Sequence, residues 1–309
     1  MKKDANIELF RCICMLGIVC IHVFSGASEV SHHAWALSCP CLLGFMMISG
    51  WFGIHFRLTK LLRLFGVVVA CVLTDTVILG GGADFLYKCV GYWYVWAYVF
   101  TMLFSPVIDA FVEECCDVRH LKMALVTVGF LLWGWSFAAQ LNVPLVPSVL
   151  GFGDCSGVVL LCVYCLTRIL KRLQYIEWLE KHLFLTCALF VVSGLFVYVG
   201  FRHNNSIFAF AYALSGLLIV KKMDLRENLA KFILFLSPSM FSVYLLHMPF
   251  CKYFPEWENS IQTVCHMPHV MAQFILAVLV FASAVCVDMP RRLFVKLLFK
   301  FKTSNATQS

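Results

Sequence analysis

The sequence predicts an all-α, polytopic integral membrane protein of about ten transmembrane helices, with both termini cytoplasmic. Three observations predict this class. The 309 residues are 61% hydrophobic and 13% charged, with a mean hydropathy of +0.86. Soluble domains carry about twice that charged fraction. The apolar residues fall in long runs, not in the short alternating runs of strands. The lysines and arginines collect between alternate runs, as cytoplasmic loops require.

The runs are taken in chain order. The first, 7–27, follows only two lysines and lacks a small-residue cleavage site, so it reads as a retained span and not a cleaved signal. The second and third, 36–54 and 64–81, flank a basic loop of Arg57, Lys60 and Arg63. The fourth, 91–111, opens on the aromatic run Tyr92-Trp93-Tyr94-Val95-Trp96. The fifth, 122–140, follows Arg119 and Lys122, and the sixth, 153–170, ends at Arg168, Lys171 and Arg172. The seventh, 183–201, follows Lys181, and the eighth, 206–220, stops at Lys221 and Lys222. The ninth, 232–251, follows Arg226 and Lys231, and the tenth, 269–289, leads to a basic cytoplasmic tail over 290–309. The chain thus reads as one transmembrane domain over 1–309 with its helical core at 7–289. Several runs are near the minimum of about 17 residues, which fits tilted or partly re-entrant pieces.

With ten spans and a cytoplasmic amino terminus, 20 lysines and arginines face the cytoplasm against three outside, Lys88, Arg202 and Lys252. The net charge of +7 is therefore mostly a topology signal. It also suits the inner face to anionic headgroups or a phosphorylated cosubstrate. The basic residues sit in short loops against a membrane, which excludes nucleic acid as a partner. Most of the 16 cysteines lie within apolar runs, where the thiol behaves as a small hydrophobe. A bridge between outward candidates such as Cys251 and Cys265 stays open. Neither the cysteines nor His32, His33, His203, His266 and His269 have metal-ligand spacing, so no metal is expected.

Ionisable residues inside a span are expensive and point to function. Arg11 and His22 share the first span. Eleven residues are close to three turns, so both side chains leave one face, roughly 16 Å apart along the axis. The spacing suits a long substrate arm held at one end and reacting at the other. Asp75, Asp109 and Asp288 are the other intramembrane acids. Asp109 and Asp288 lie near inner ends, where headgroups or basic loops can pair with them, and Asp75 takes no assigned role.

Four stretches resemble one known family. Arg11, ten residues and His22 look like an arginine–x10–histidine signature. Phe45-Met46-Met47-Ile48-Ser49-Gly50-Trp51-Phe52 precedes the basic loop. Tyr92-Trp93-Tyr94 leads to Leu103-Phe104-Ser105-Pro106. Phe241-Ser242-Val243-Tyr244-Leu245-Leu246-His247-Met248-Pro249 forms the fourth stretch. In order and spacing they resemble the membrane-bound acyltransferase 3 family of bacterial integral-membrane acyltransferases. Arg57 and Lys60 depart from the adjacent arginines of many members, and Asp288-Met289-Pro290-Arg291 matches the family's ending only loosely.

The resemblance implies a multi-pass protein of a bacterial inner membrane. It implies transfer of an acyl group, usually acetyl, from an acyl-CoA cosubstrate to a hydroxyl of a cell-envelope carbohydrate or glycolipid, with no permanently bound cofactor. On that reading His22 is the general base, since its ordinary pKa lies near neutrality. His247 is a second catalytic candidate, for proton handling or oxyanion donation. Arg11 grips the donor, and Arg57, Lys60 and Arg63 meet its phosphates. Tyr92, Trp93 and Trp96 stack on the sugar.

Each residue also has a plainer reading. Arg11 can snorkel or pair with Glu8, and His22 and His247 can be buried histidines bonded to backbone. The basic loop sets topology in any case, and the aromatic cluster fits an interfacial belt. A transporter of a glycan or lipid-linked intermediate is the competing function. It calls for an inverted repeat with matched broken helices, and Gly80-Gly81-Gly82 has no counterpart in the second half.

Overall fold

The computed structural model describes residues 4–24, 29–78, 91–115, 117–134, 157–200, 206–250, 254–266 and 268–306. Lys88, the Gly80-Gly81-Gly82 run, Arg202, His203, Cys251, Lys252 and all of 135–156 lie outside them. The described residues are helical, with no strand among them. The first half contains α1 (Ala5–Val23), α2 (Glu29–Ser38), α3 (Cys41–Phe52), α4 (Leu58–Ile78), α5 (Trp93–Glu114) and α6 (Val118–Gly129). A π turn, Phe130–Gly134, continues α6. The second half contains α7 (Gly157–Arg172), α8 (Tyr175–Lys181), α9 (Leu183–Tyr198) and α10 (Ile207–Lys221). It ends with α11 (Glu227–Leu236), α12 (Met240–Phe250), α13 (Phe254–Cys265) and α14 (His269–Ala306).

Among the described residues, five helical stretches are long and apolar enough to cross a membrane, or six if the bent pair α8–α9 forms one span. The sequence reading differs from the structure where the chain carries breakers. The second predicted run is two helices, because Pro40 leaves no amide hydrogen to continue α2. The ninth is broken at Ser237–Ser239, a 3-10 turn around Pro238. The 103° bend between α8 and α9 sits at His182, which belongs to neither helix. The stretch read as a tail is helical as far as Ala306, where it continues α14 through Pro290. Helix α13 was not expected in the connection before the tenth run.

Helix α1 is the hub. It packs against α2, α3, α10, α11, α12 and α14, and residues on several faces are buried, among them Met15, Val19 and Ile7. Asp4 caps its start by accepting from Asn6 N at 3.0 Å. Asn6 reaches across to the end of α10, donating to the carbonyls of Val220 and Lys221 at 3.1 and 3.0 Å. The Lys221 carbonyl is one of those a helix end leaves without an intrahelical donor, so these bonds fasten α1 to α10.

A buried ionic network ties α3, α5 and α7 together. Arg168 Nε donates to Asp109 Oδ1 at 2.9 Å, and its Nη2 reaches Glu113 at 2.5 Å. The Tyr164 hydroxyl donates to the same Asp109 oxygen at 2.6 Å and accepts from Ile54 N at 3.0 Å. Ser105 Oγ donates to Ile54 O at 2.6 Å. The segment after α3 is thereby pinned at both backbone groups of Ile54. Asp109 and Asp288 both take the pairing option open to them, Asp288 with Arg291 at 2.5 Å.

Gly53 makes this turn possible with φ 77°, a conformation side chains rarely adopt. An added Cβ would lie 3.5 Å from both Arg168 Cζ and Asp109 Oδ2, an ordinary contact. The cost of Gly53→Ala is therefore backbone strain, on the order of 1–3 kcal/mol. Thermal unfolding in detergent should show that loss, and an unchanged midpoint would refute the strain.

Candidate active site

One cavity of about 480 Å³ lies between α1, α3, α4, α5 and the Ser237–Ser239 turn. Arg11, Lys60 and Arg63 supply its cations, and Ser49, Tyr94, Tyr98 and Ser237 its neutral polar groups. Phe45, Ile48 and Met102 supply apolar wall. Gly53 and Ile54 also line it, so the Asp109–Arg168–Tyr164 network holds one of its walls.

Arg11 is fixed by Glu8 one turn away. Its Nη1 meets both Glu8 oxygens, at 2.8 and 2.6 Å. Ser237 donates to Glu8 as well. The Glu8 side chain is 7% exposed and that of Arg11 26%, so the acid is sealed while the guanidinium reaches the cavity. Pairing with Glu8 and facing a ligand space are therefore compatible. The two serines of the α11–α12 break share the work: Ser237 bonds α1 through Glu8, and Ser239 donates to Asp288 of α14 at 2.7 Å. A helix break deep in the bundle survives because neighbouring helices satisfy its polar groups.

His22 and His247 come together from α1 and α12, with ring centroids 4.9 Å apart. Nothing in the spacing of the sequence joins those two positions. His247 is fully buried, and its Nδ1 donates to Val243 O at 3.2 Å, which orients the ring. Neither histidine lines the cavity. A chain of rings leads to them from its wall: Tyr94 to Tyr244 at 5.5 Å, then Tyr244 to His247 at 5.9 Å.

The aromatic candidates divide. Tyr92 joins this group, its ring 6.1 Å from Tyr244 and its hydroxyl donating to Leu245 O at 2.7 Å. Trp93 packs edge-on to Tyr94 at 5.8 Å. Trp96 is 42% exposed, meets Phe65 at 5.8 Å and does not line the cavity. Helical periodicity explains this, since Tyr94 and Tyr98 take the inward face and Trp96 falls opposite. Arg57 is exposed and also off the cavity, whereas Lys60 and Arg63 line it. The polar residues that sequence reasoning passed over are Tyr94, Tyr98, Tyr244 and Ser237. Their signal was present as the i, i+4 tyrosine pair and the Ser-Pro-Ser sequence, but the first looked like an interfacial belt and the second lay within the ninth apolar run.

A family model described as an acyltransferase domain matches residues 4–289. The chain belongs to the acyltransferase 3 family. The match takes in every element of the site, from Glu8 in α1 to Asp288 in α14. No curated protein and no solved structure matches the chain. Together with the apolar helices, the family makes this acyltransferase 3 protein a multi-pass membrane protein of an acyl-transferring kind.

Proposed function

We propose that this protein moves an acyl group, acetyl foremost, from an acyl-CoA to a hydroxyl of a cell-envelope carbohydrate or lipid-linked glycan. It does so as a ten-span protein of a bacterial inner membrane with both termini cytoplasmic. The observation that carries the reading is the order of groups along α1. A cation-lined cavity holds Arg11, and the paired rings of His22 and His247 lie about three turns further along.

In this mechanism Lys60, Arg63 and Arg11 take the phosphates and pantetheine of the donor. Guanidinium binds phosphate bidentately and keeps its charge in a low-dielectric setting. His22 accepts the proton of the acceptor hydroxyl. The hydroxyl oxygen then bonds to the thioester carbonyl carbon, the carbon–sulfur bond breaks, and the departing thiolate takes up a proton from the histidine. His247 holds the His22 ring in place and acts as a positioning residue. Tyr92 and Trp93 stand on the acceptor side.

The test uses purified protein in nanodiscs with labelled acetyl-CoA and envelope glycolipids. Label passing to a glycan is the expected result. If the protein consumes neither acetyl-CoA nor any longer acyl-CoA, the reading fails and glycan transport takes its place.

A further inference from the structure

Tyr94 and Tyr98 lie one turn apart on α5 and line the same cavity, but their hydroxyls are differently placed. Tyr98 hydrogen-bonds the Ser49 hydroxyl. Tyr94 is only 4% exposed, and its hydroxyl has no hydrogen-bond partner among the described residues. A buried hydroxyl left unbonded costs about 1–3 kcal/mol, and such groups are rare in folded proteins. The ring cannot swing out to find a partner. Phe45 meets it edge-on at 6.4 Å, Trp93 at 5.8 Å, and Tyr244 packs beside it at 5.5 Å. The fold thus holds an unbonded hydroxyl on a closely packed ring of the cavity wall.

The position of Tyr94 narrows what it can bind. The cations Arg11, Lys60 and Arg63 supply the charge that phosphates need. Tyr94 itself is packed among the rings of Phe45, Trp93 and Tyr244 and begins the ring chain to His247 and His22. A neutral oxygen that gains negative charge as the reaction proceeds is the acceptor such a donor fits. We propose that the Tyr94 hydroxyl donates a hydrogen bond to the acyl carbonyl oxygen of the donor thioester and stabilises the oxyanion formed on attack. The inference rests on the acyl-transfer reading above.

The electron balance is simple. As the acceptor oxygen bonds to the carbonyl carbon, the C=O pair moves onto oxygen, where Tyr94 meets it. When the tetrahedral species collapses, the pair returns, the C–S bond breaks and the thiolate leaves. Tyr94 keeps its proton throughout and is a catalytic residue by contact alone. The same hydrogen bond forms weakly in the ground state and strengthens as charge builds, which is what lowers the barrier.

The test is Tyr94→Phe, which keeps the ring and removes the oxygen. The turnover number is expected to fall about 10²-fold. The donor KM should change little, and the ligand-free protein should melt at or above the wild-type temperature. Tyr98→Phe removes a hydroxyl already bonded and should melt lower. A wild-type turnover number in Tyr94→Phe, with His22→Ala inactive in the same assay, overturns the inference alone. So does a ligand-free Tyr94→Phe that melts well below wild type, which would give the hydroxyl a structural partner. Wild-type protein inactive with every acyl-CoA overturns the acyl-transfer reading, and this inference with it.

Discussion

His22→Ala should lower the acyl-transfer rate by roughly 10²–10⁴-fold, the span that a positioned general base contributes. The acceptor hydroxyl is a poor nucleophile until its proton has somewhere to go. The ring of His22 sits 4.9 Å from that of His247 and is partly exposed, whereas His247 is fully buried. Of the two, His22 is the one a substrate can reach. Donor affinity should be preserved in His22→Ala, because the residue lies outside the cavity lining. His247→Gln should lose less activity than His22→Ala, since it disturbs the orientation of the base and leaves the base itself. Transfer from labelled donor under single-turnover conditions separates the cases. Equal loss of donor affinity in His22→Ala would place His22 in donor binding instead.

Arg168→Ala should destabilise the fold by about 3–5 kcal/mol, the usual effect of stripping one partner from a buried ion pair. The side chains of Arg168 and Asp109 are 10% and 12% exposed. Without the guanidinium, the buried Asp109 carboxyl is left with the Tyr164 hydroxyl as its hydrogen-bond donor among the described residues. The damage should spread to the cavity, because Tyr164 also bonds Ile54 N in its wall. Glu113→Gln is the control. Its side chain is 60% exposed, so the loss should be about 0–1 kcal/mol. Arg168→Met combined with Asp109→Asn removes both charges and should recover most of the lost stability. Thermal or denaturant unfolding in detergent measures all three. An Arg168→Ala protein as stable as wild type would remove this network from the account.

Much of this was legible from local signals. The apolar runs and basic loops foretold a helical membrane protein, because bilayer length and backbone hydrogen bonding leave few alternatives. Arg11 was legible for the same reason, as a charge placed where charges are costly. The pairing of His22 with His247 was not, since it depends on α12 crossing α1, a tertiary fact with no periodicity to announce it. Trp96 and Trp93 looked alike in a run of aromatics, and only the face each takes on α5 tells them apart. Arg57 and Lys60 looked alike in the basic loop, but α4 begins at Leu58 and turns only Lys60 and Arg63 toward the cavity. Tyr94 was hidden because its distinction is an unbonded oxygen, which exists only once its neighbours are placed.

The central claim is a division of labour along one helix, donor binding at Arg11 and chemistry at His22. The most direct test is to measure donor affinity and the saturating single-turnover rate side by side in wild type, Arg11→Ala and His22→Ala. Losing charged hydrogen bonds to the donor should weaken binding by about 1.5–3 kcal/mol, roughly 10- to 150-fold, in Arg11→Ala. Its rate at saturation should stay close to wild type. His22→Ala should show the mirror image, with wild-type affinity and a collapsed rate. If Arg11→Ala binds donor as wild type does, or if His22→Ala transfers as wild type does, the division of labour is wrong.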